Sequence, residues 1–222
     1  MNLDLLKYFA IKSFVESFIA VFVLTSFSTA QQVETRRFTS AYNVSVDTPK
    51  DWVWDSEAVR DFKVKFSEMM FKIKTDGKIR LLNTGLPTKS PDGYCRIRLS
   101  ILSDTKLSQK ETRDLSDADL DELRRLAITE FASVPMIAFD KDSVAVTKTR
   151  ADTDYWAYRI SYTRTGTNGP VRVEQYYVPF SNRAVSLTLS YELAHKEQLA
   201  PIMLRIWSSL DLDDNVLWPT EK

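Results

Sequence analysis

The sequence predicts an α+β fold: an antiparallel β-sheet covered by amphipathic helices in a two- or three-layer sandwich. Three observations carry that reading. Runs that alternate polar and apolar residues are joined by short turns, which makes their pairing antiparallel. Stretches of helical period lie between and after those runs, each with one apolar face to bury. Only five glycines occur in 222 residues, and no repeat or Pro/Gly-rich linker marks a boundary within the folded part.

The elements follow in order. Ala41 to Val46 alternates, with Tyr42, Val44 and Val46 on one side, and Asp47, Thr48 and Pro49 close it as a first strand. Ser56 to Thr75 carries two periods. Phe62, Val64 and Phe66 alternate, but Ala58, Val59, Phe62, Phe66, Met69, Met70 and Ile73 share one helical face. With Ser56 to cap the start, Lys72 and Lys74 in the last turn and Gly77 beyond it, the spacing predicts a helix. Lys78 to Leu82 reads as a short strand, and Ser90 to Tyr94, with Pro91, Asp92 and Gly93, as a turn. Cys95, Ile97, Leu99 and Ile101 then alternate with Arg96, Arg98 and Ser100, a half-buried strand with Cys95 on its apolar side. Ser116 and Asp119 form a capping box, and Leu120, Leu123, Ala127, Phe131 and Val134 make an apolar stripe that Pro135 ends. A helix is therefore expected from Ser116 to Val134.

Three strands are expected next. The first region starts at Val144 and Val146 and continues into Tyr155 to Thr163, where Trp156, Tyr158, Ile160 and Tyr162 share a face. The turn Gly166 to Pro170 leads to Val171 to Val178, and Ser181 to Ala184 leads to Val185, Leu187, Leu189 and Tyr191. Short turns between such runs make a meander. Leu199, Ile202, Met203, Ile206, Trp207 and Leu210 recur at helical spacing, so a closing amphipathic helix covers the sheet. Pro201 fits that helix only within its first turn.

Ahead of these elements, Phe18 to Thr29 is apolar apart from small hydroxyl residues. Lys7 and Lys12 precede it, and Ser28 and Ala30 supply small residues at −3 and −1 for a cut before Gln31. This is the pattern of a cleavable signal peptide. Asp4 and Glu16 dilute its basic start, and residues 11–30 approach the ~20 that span a bilayer, so retention as an anchor is the alternative. No cysteine directly follows the apolar run to take a lipid. The expected organisation is a signal peptide at 1–30, a polar segment at 31–40, one α+β domain at 41–212 and a tail at 213–222. The roughly 190 residues left after cleavage suffice for one domain with its own core.

Thirty basic residues balance thirty acidic ones. A neutral chain collects neither nucleic acid nor anionic membrane by its overall field, although a local basic patch stays open. Cys95 is the sole cysteine and His195 the sole histidine, so no intramolecular disulfide forms and no Cys/His zinc site can be completed. Asp114, Asp117, Asp119, Asp121 and Glu122 lack the spacing and the glycine of a calcium loop, and suit the first turn of a helix. Cys95 reads as a small buried hydrophobe and His195 as an exposed helix-start residue. No catalytic residue, metal or cofactor is expected. The best candidate surface is aromatic and basic: Tyr155, Trp156, Tyr158, Arg159, Arg172, Tyr176 and Tyr177. Strand side chains alternate, so part of this set faces away from the core, and Tyr, Trp and Arg are the residue types of binding hot spots.

Thr48-Pro49-Lys50-Asp51-Trp52 resembles the P-x-x-W close of the first strand in the PsbP-like fold family. That family includes DcrB-like bacterial envelope proteins and the extrinsic PsbP subunit of the photosynthetic oxygen-evolving complex. The tail is similar too: a strand with Gln175, Tyr176 and Tyr177, a turn at Ser181-Asn182, the strand VSLTLSYE, and a helix with Pro201, Ile202, Ile206, Trp207, Ser208, Ser209 and Leu210. The resemblance runs over Tyr42 to Leu212. It implies the fold and a non-enzymatic role in accessory, scaffolding or partner-binding work, with no catalytic motif to carry over. The expected function is thus that of an exported, non-enzymatic envelope or secreted protein with a protein partner. A carboxylate-based hydrolase without a recognisable motif, or a membrane-anchored accessory subunit if the leader is kept, are the alternatives.

Overall fold

Apolar residues at every second position build most of this molecule. The computed structural model describes residues 34–212 apart from 41, 57, 60, 61, 63–78, 88–93, 104–106, 134–137, 181 and 182, with the backbone alone at 79–87, 103 and 133. The chain divides into two units, Met1–Glu34 and Thr35–Lys222, and the described strands and helices all lie in the second. In chain order the strands are β1 (Thr35–Thr39), β2 (Val44–Pro49), β3 (Trp52–Trp54), β4 (Ile79–Pro87) and β5 (Cys95–Ser103). Two helices intervene, α1 (Gln109–Asp114) and α2 (Asp117–Ser133). Then come β6 (Phe139–Arg150), β7 (Trp156–Thr165), β8 (Pro170–Phe180), β9 (Arg183–Glu192), α3 (Lys196–Ser208) and β10 (Asp211–Leu212).

The strands form two sheets, one in the order β1-β2-β10 and one of seven strands in the order β3-β4-β5-β9-β8-β7-β6. Every pairing among the described residues is antiparallel. The alternation read in β5 and β9 is realised: Ile97, Leu99, Val185, Leu187 and Leu189 are buried on one face, with register partners such as Leu99 and Leu187 side by side. Against that face lies α3, which also touches β2 of the small sheet. Leu199, Met203, Ile206 and Trp207 of α3 join Val44, Val46, Leu210 and Leu212 in one core. Trp207 stacks on Tyr176 with ring centroids 4.2 Å apart. Burying each such large side chain contributes on the order of 1.5–3 kcal/mol. On the other face of the large sheet, Ala127, Ile128 and Phe131 of α2 pack on Val144, Tyr162, Val171 and Val173.

Four local features depart from the sequence reading. The region from Val144 to Thr163 is two strands, not one: Ala151–Tyr155 turns the chain back, with Asp154 at φ 73°. Asp is among the few residues that visit this region without a glycine. The polar segment at 31–40 contains β1, whose Phe38 stacks on Trp54 at 3.7 Å. The six-residue helix α1 has no counterpart among the expected elements. It is started by a capping box in which Ser108 Oγ accepts from the Glu111 N–H (3.2 Å) and Glu111 Oε2 accepts from the Ser108 N–H (2.8 Å). Finally, Pro201 sits in the second turn of α3 rather than the first. It leaves the Glu197 carbonyl without its helical donor, but Glu197 and Pro201 are both exposed, so water can serve it.

The expected strand at Lys78 to Leu82 is β4, which runs on to Pro87. Of the expected helix at 56–75, Ala58, Val59 and Phe62 are helical and most of the rest lies outside the described residues, as do the leader, the turn at 90–93 and the tail at 213–222.

Candidate binding surface

Alternation along β7 and β8 sorts the aromatic and basic residues onto two faces. Tyr158 pairs in register with Tyr177, and Arg159 with Tyr176, so the first pair faces away from α3 and the second faces toward it. Tyr176 is 1% exposed and belongs to the main core. Its hydroxyl donates to Glu174 Oε2 at 2.9 Å, and burial pushes its pKa up. Glu174 also pairs with Arg172 at 3.8 Å, and Arg159 Nε donates to Thr147 Oγ1 at 3.2 Å. On the opposite face Tyr158 and Tyr177 stack at 5.0 Å. Burial pushes Tyr158 up to about 12 and raises Tyr177 as well. Tyr155 precedes β7, packs edge-on against Phe180 and donates its hydroxyl to the Leu212 carbonyl at 2.9 Å. The seven residues therefore do not form one patch. Tyr155 and Tyr176 hold the core together, Arg159 and Arg172 lie beside it, and Trp156, Tyr158 and Tyr177 lie on the other side.

Trp156 opens β7 at the corner of the β6–β7 hairpin. Two cations from β6 approach its ring, Lys148 Nζ at 5.9 Å and Arg150 Cζ at 5.7 Å. Arg150 also pairs with the exposed Asp154 at 2.7 Å. The backbone at this corner is held by Gln109 of α1. Its Oε1 accepts from the Trp156 N–H (2.8 Å) while its Nε2 donates to the carbonyls of Trp156 (3.0 Å) and Pro179 (2.9 Å). Pro179 has no N–H to offer β7, and the Gln109 amide bridges the two strands there instead. Lys148 Nζ donates to the carbonyls of Arg113 and Leu115 at the end of α1 (2.6 and 2.9 Å), which ties the same helix to β6. Sequence reasoning missed Gln109, Lys148 and Arg150 because their nearness to Trp156 depends on the hairpin and its register. The only linear signal was a cation at every second position, 148 and 150.

The remaining candidates have ordinary structural partners. Cys95 is buried on the core side of β5, and burial, with the Asp51 carboxylate adding to it, pushes its thiol up to about 12. His195 precedes α3 half-buried rather than exposed, its Nε2 4.0 Å from Glu192 Oε2. The acids around α2 serve caps and pairs: Asp119 accepts from the Ser116 N–H at 2.8 Å, Asp114 pairs with Arg113, and Glu122 pairs with Arg125. Those hydrogen bonds from Ser116 hold the Asp119 carboxyl below its usual range.

No protein-family model matches the chain, and no curated protein matches it in sequence. Solved structures do match. The solution structure of cyanobacterial PsbP (CyanoP) from Synechocystis superposes with a TM-score of 0.50 at 9% identity, over 81% of this chain and 93% of that one. The fold is PsbP-like. Lower TM-scores accompany two others. The Saccharomyces cerevisiae Ran-binding protein Mog1p gives 0.46 at 6% identity, over 85% of this chain and 100% of that one. LpqN of Mycobacterium tuberculosis, involved in cell envelope biogenesis, gives 0.40 at 12% identity, over 84% and 94%. The residues that suggested a PsbP-like chain occupy structural positions within it: Trp52 is 4% exposed in the core, and Tyr176 and Trp207 join β8 to the closing helix.

Proposed function

We propose that this chain is an exported accessory protein that binds a protein partner and performs no chemistry of its own, with the Trp156 corner as its contact. The observation that carries the reading is the rigid presentation of Trp156 between Lys148 and Arg150, with Gln109 fixing the backbone beneath it. Trp and Arg dominate binding energy where they are held ready before the partner arrives, because less ordering is left to do on association. Export follows from the leader pattern at 1–30, and a PsbP-like fold accords with an accessory role.

Crosslinking in the native host, followed by identification of what is attached, tests the reading. A specific protein is expected with the native chain and is expected to be lost with Trp156→Ala and with Arg150→Ala. Recovery of the same partner from both variants, or of none from the native chain, would overturn the Trp156 contact. Intact mass of the protein taken from the host tests export separately: a chain beginning at Gln31 is expected, and one retaining Met1 would refute cleavage.

A further inference from the structure

On the sheet face away from α3, Tyr94, just before β5, and Arg96, Arg98 and Ser100 within it stand at every second position. Across from them on β9, in register, stand Ser190 opposite Arg96, Thr188 opposite Arg98 and Ser186 opposite Ser100. Register partners on one face lie close enough for long side chains to meet what their neighbours hold. Ser100, Ser186 and Ser190 are buried, so this part of the sheet is floored by hydroxyls where its other face is floored by leucines.

The floor carries a concentration of positive charge. Arg96 Cζ stands 5.6 Å from the centre of the Tyr94 ring, and Arg164 Cζ, from β7, stands 5.3 Å from the same centre. The Tyr94 hydroxyl receives a hydrogen bond from Ser190 Oγ at 3.3 Å. Arg98 is exposed, yet desolvation and the neighbouring Arg96 guanidinium both lower its pKa. Among the described residues, no carboxylate pairs with Arg96, Arg98 or Arg164, although the ion pairs elsewhere engage Arg37, Arg113, Arg125, Arg150 and Arg172. Arg96 Nε is buried and has no acceptor among the described residues. Glu192, buried beside Tyr94 on this face, is the nearby carboxylate, and its ion-pair partner is His195 at 4.0 Å. A buried donor without an acceptor, and neighbouring guanidinium groups with no ion pair among the described residues, are both unfavourable, and one ligand would relieve both.

We propose that Arg96 and Arg98, with the hydroxyls of Thr188 and Ser190 opposite and Arg164 at the Tyr94 ring, form a binding site for a phosphate-class oxyanion. Guanidinium groups match phosphate oxygens in geometry and charge. A tetrahedral dianion offers acceptors in several directions and neutralises two cations at once, whereas a lone carboxylate offers two oxygens and one charge. The site does not depend on the Trp156 contact, and it gives a chain of zero net charge a local means of holding an anion.

Calorimetric titration of the full chain with inorganic phosphate in low-salt chloride buffer tests this, alongside Arg96→Gln, Arg98→Gln and, as control, Arg125→Gln on α2. Vesicles of phosphatidylglycerol in phosphatidylcholine form a second arm. Saturable phosphate binding is expected, weakened about tenfold or more by either β5 variant, as fits loss of a charge-assisted pair, and unchanged in the control. Binding to vesicles that also needs Arg98 would assign the anion to a lipid headgroup, and phosphate binding without it would assign a free phosphate or phosphate ester. Melting without ligand guards against misfolding, since removing one of several like charges is expected to leave the transition in place or raise it. The proposal falls if neither phosphate nor vesicles bind, or if both bind the Arg96→Gln/Arg98→Gln double variant as well as the native chain.

Discussion

Several side chains are held in their neutral form by the fold. Cys95 moves from an ordinary 9.0 to about 12 and Tyr158 from 10.0 to about 12, each because burial penalises the anion. Tyr162, Tyr176, Tyr177 and Tyr191 shift in the same direction. All are acids whose folded pKa lies above the unfolded one, so the unfolded chain loses the proton first. Their contribution is complete below about pH 9 and is lost as the pH climbs toward 12. The urea midpoint should hold steady to about pH 9 and then fall, and absorbance at 295 nm should show tyrosines ionising together with unfolding. Ionisation of most tyrosines near their ordinary pKa in a chain that stays folded would contradict this. By the same logic native Cys95 should resist iodoacetamide at pH 8 until urea opens the core.

At the scale of elements, legibility followed one-sided burial. The strand β5 shows its period because its apolar face meets the α3 core while its other face carries Arg96 and Arg98, and α2 shows its stripe because one side packs on the sheet. The strand β8, by contrast, meets a core on both faces, Val171 and Val173 under α2 and Tyr176 and Val178 under α3. The strand β1 shows no period, since only Phe38 among its five residues is apolar and Arg36 and Arg37 hide the alternation. The chain reversal at Ala151–Tyr155 contains neither glycine nor proline, so two strands read as one. The helix α1 is too short for periodicity, although Ser108 and Glu111 stand at capping-box spacing. The faces of β7 were readable, but the corner cations and the Arg96–Ser190 pairing require register, which no linear pattern states. One element-level prediction concerns the Gln109 bridge between α1, β7 and β8. Replacing Gln109 by Ala should cost about 1–3 kcal/mol, because a half-buried amide–backbone network loses its partner, and denaturant titration would measure it. Gln109→Glu should not rescue stability, since it puts an acceptor against the Trp156 and Pro179 carbonyls; a Glu variant as stable as the native chain would contradict the geometry.

For the whole molecule the question is what holds the small sheet to the large one. Arg37 pairs with Asp47 (3.1 Å) and Asp211 (2.6 Å) and donates to the Ser209 carbonyl (3.2 Å), which visibly joins β1, β2 and β10. Its side chain is 42% exposed, however, and exposed pairs of this kind contribute about 0–1 kcal/mol. Trp207, 2% exposed in the shared core, carries more. Arg37→Ala should therefore lower stability by no more than about 1 kcal/mol and Trp207→Ala by about 3–5 kcal/mol. The opposite ranking in chemical denaturation would mean that the charges knitting the small sheet together matter more than the core it shares with the large one.

The pairing of β2 with β10 also dictates a timetable. Val44 meets Leu212 across nearly the whole span of the folded unit, so the first strands to be synthesised gain their last neighbour only when the final helix has emerged. Contacts between such distant stretches must be bought with chain entropy and are slow to form. A nascent chain can zip the local hairpins of β6 to β9 early, while Val44 and Val46 wait, uncovered, for their lid. That interval is when this protein is most exposed to aggregation or to capture by a chaperone.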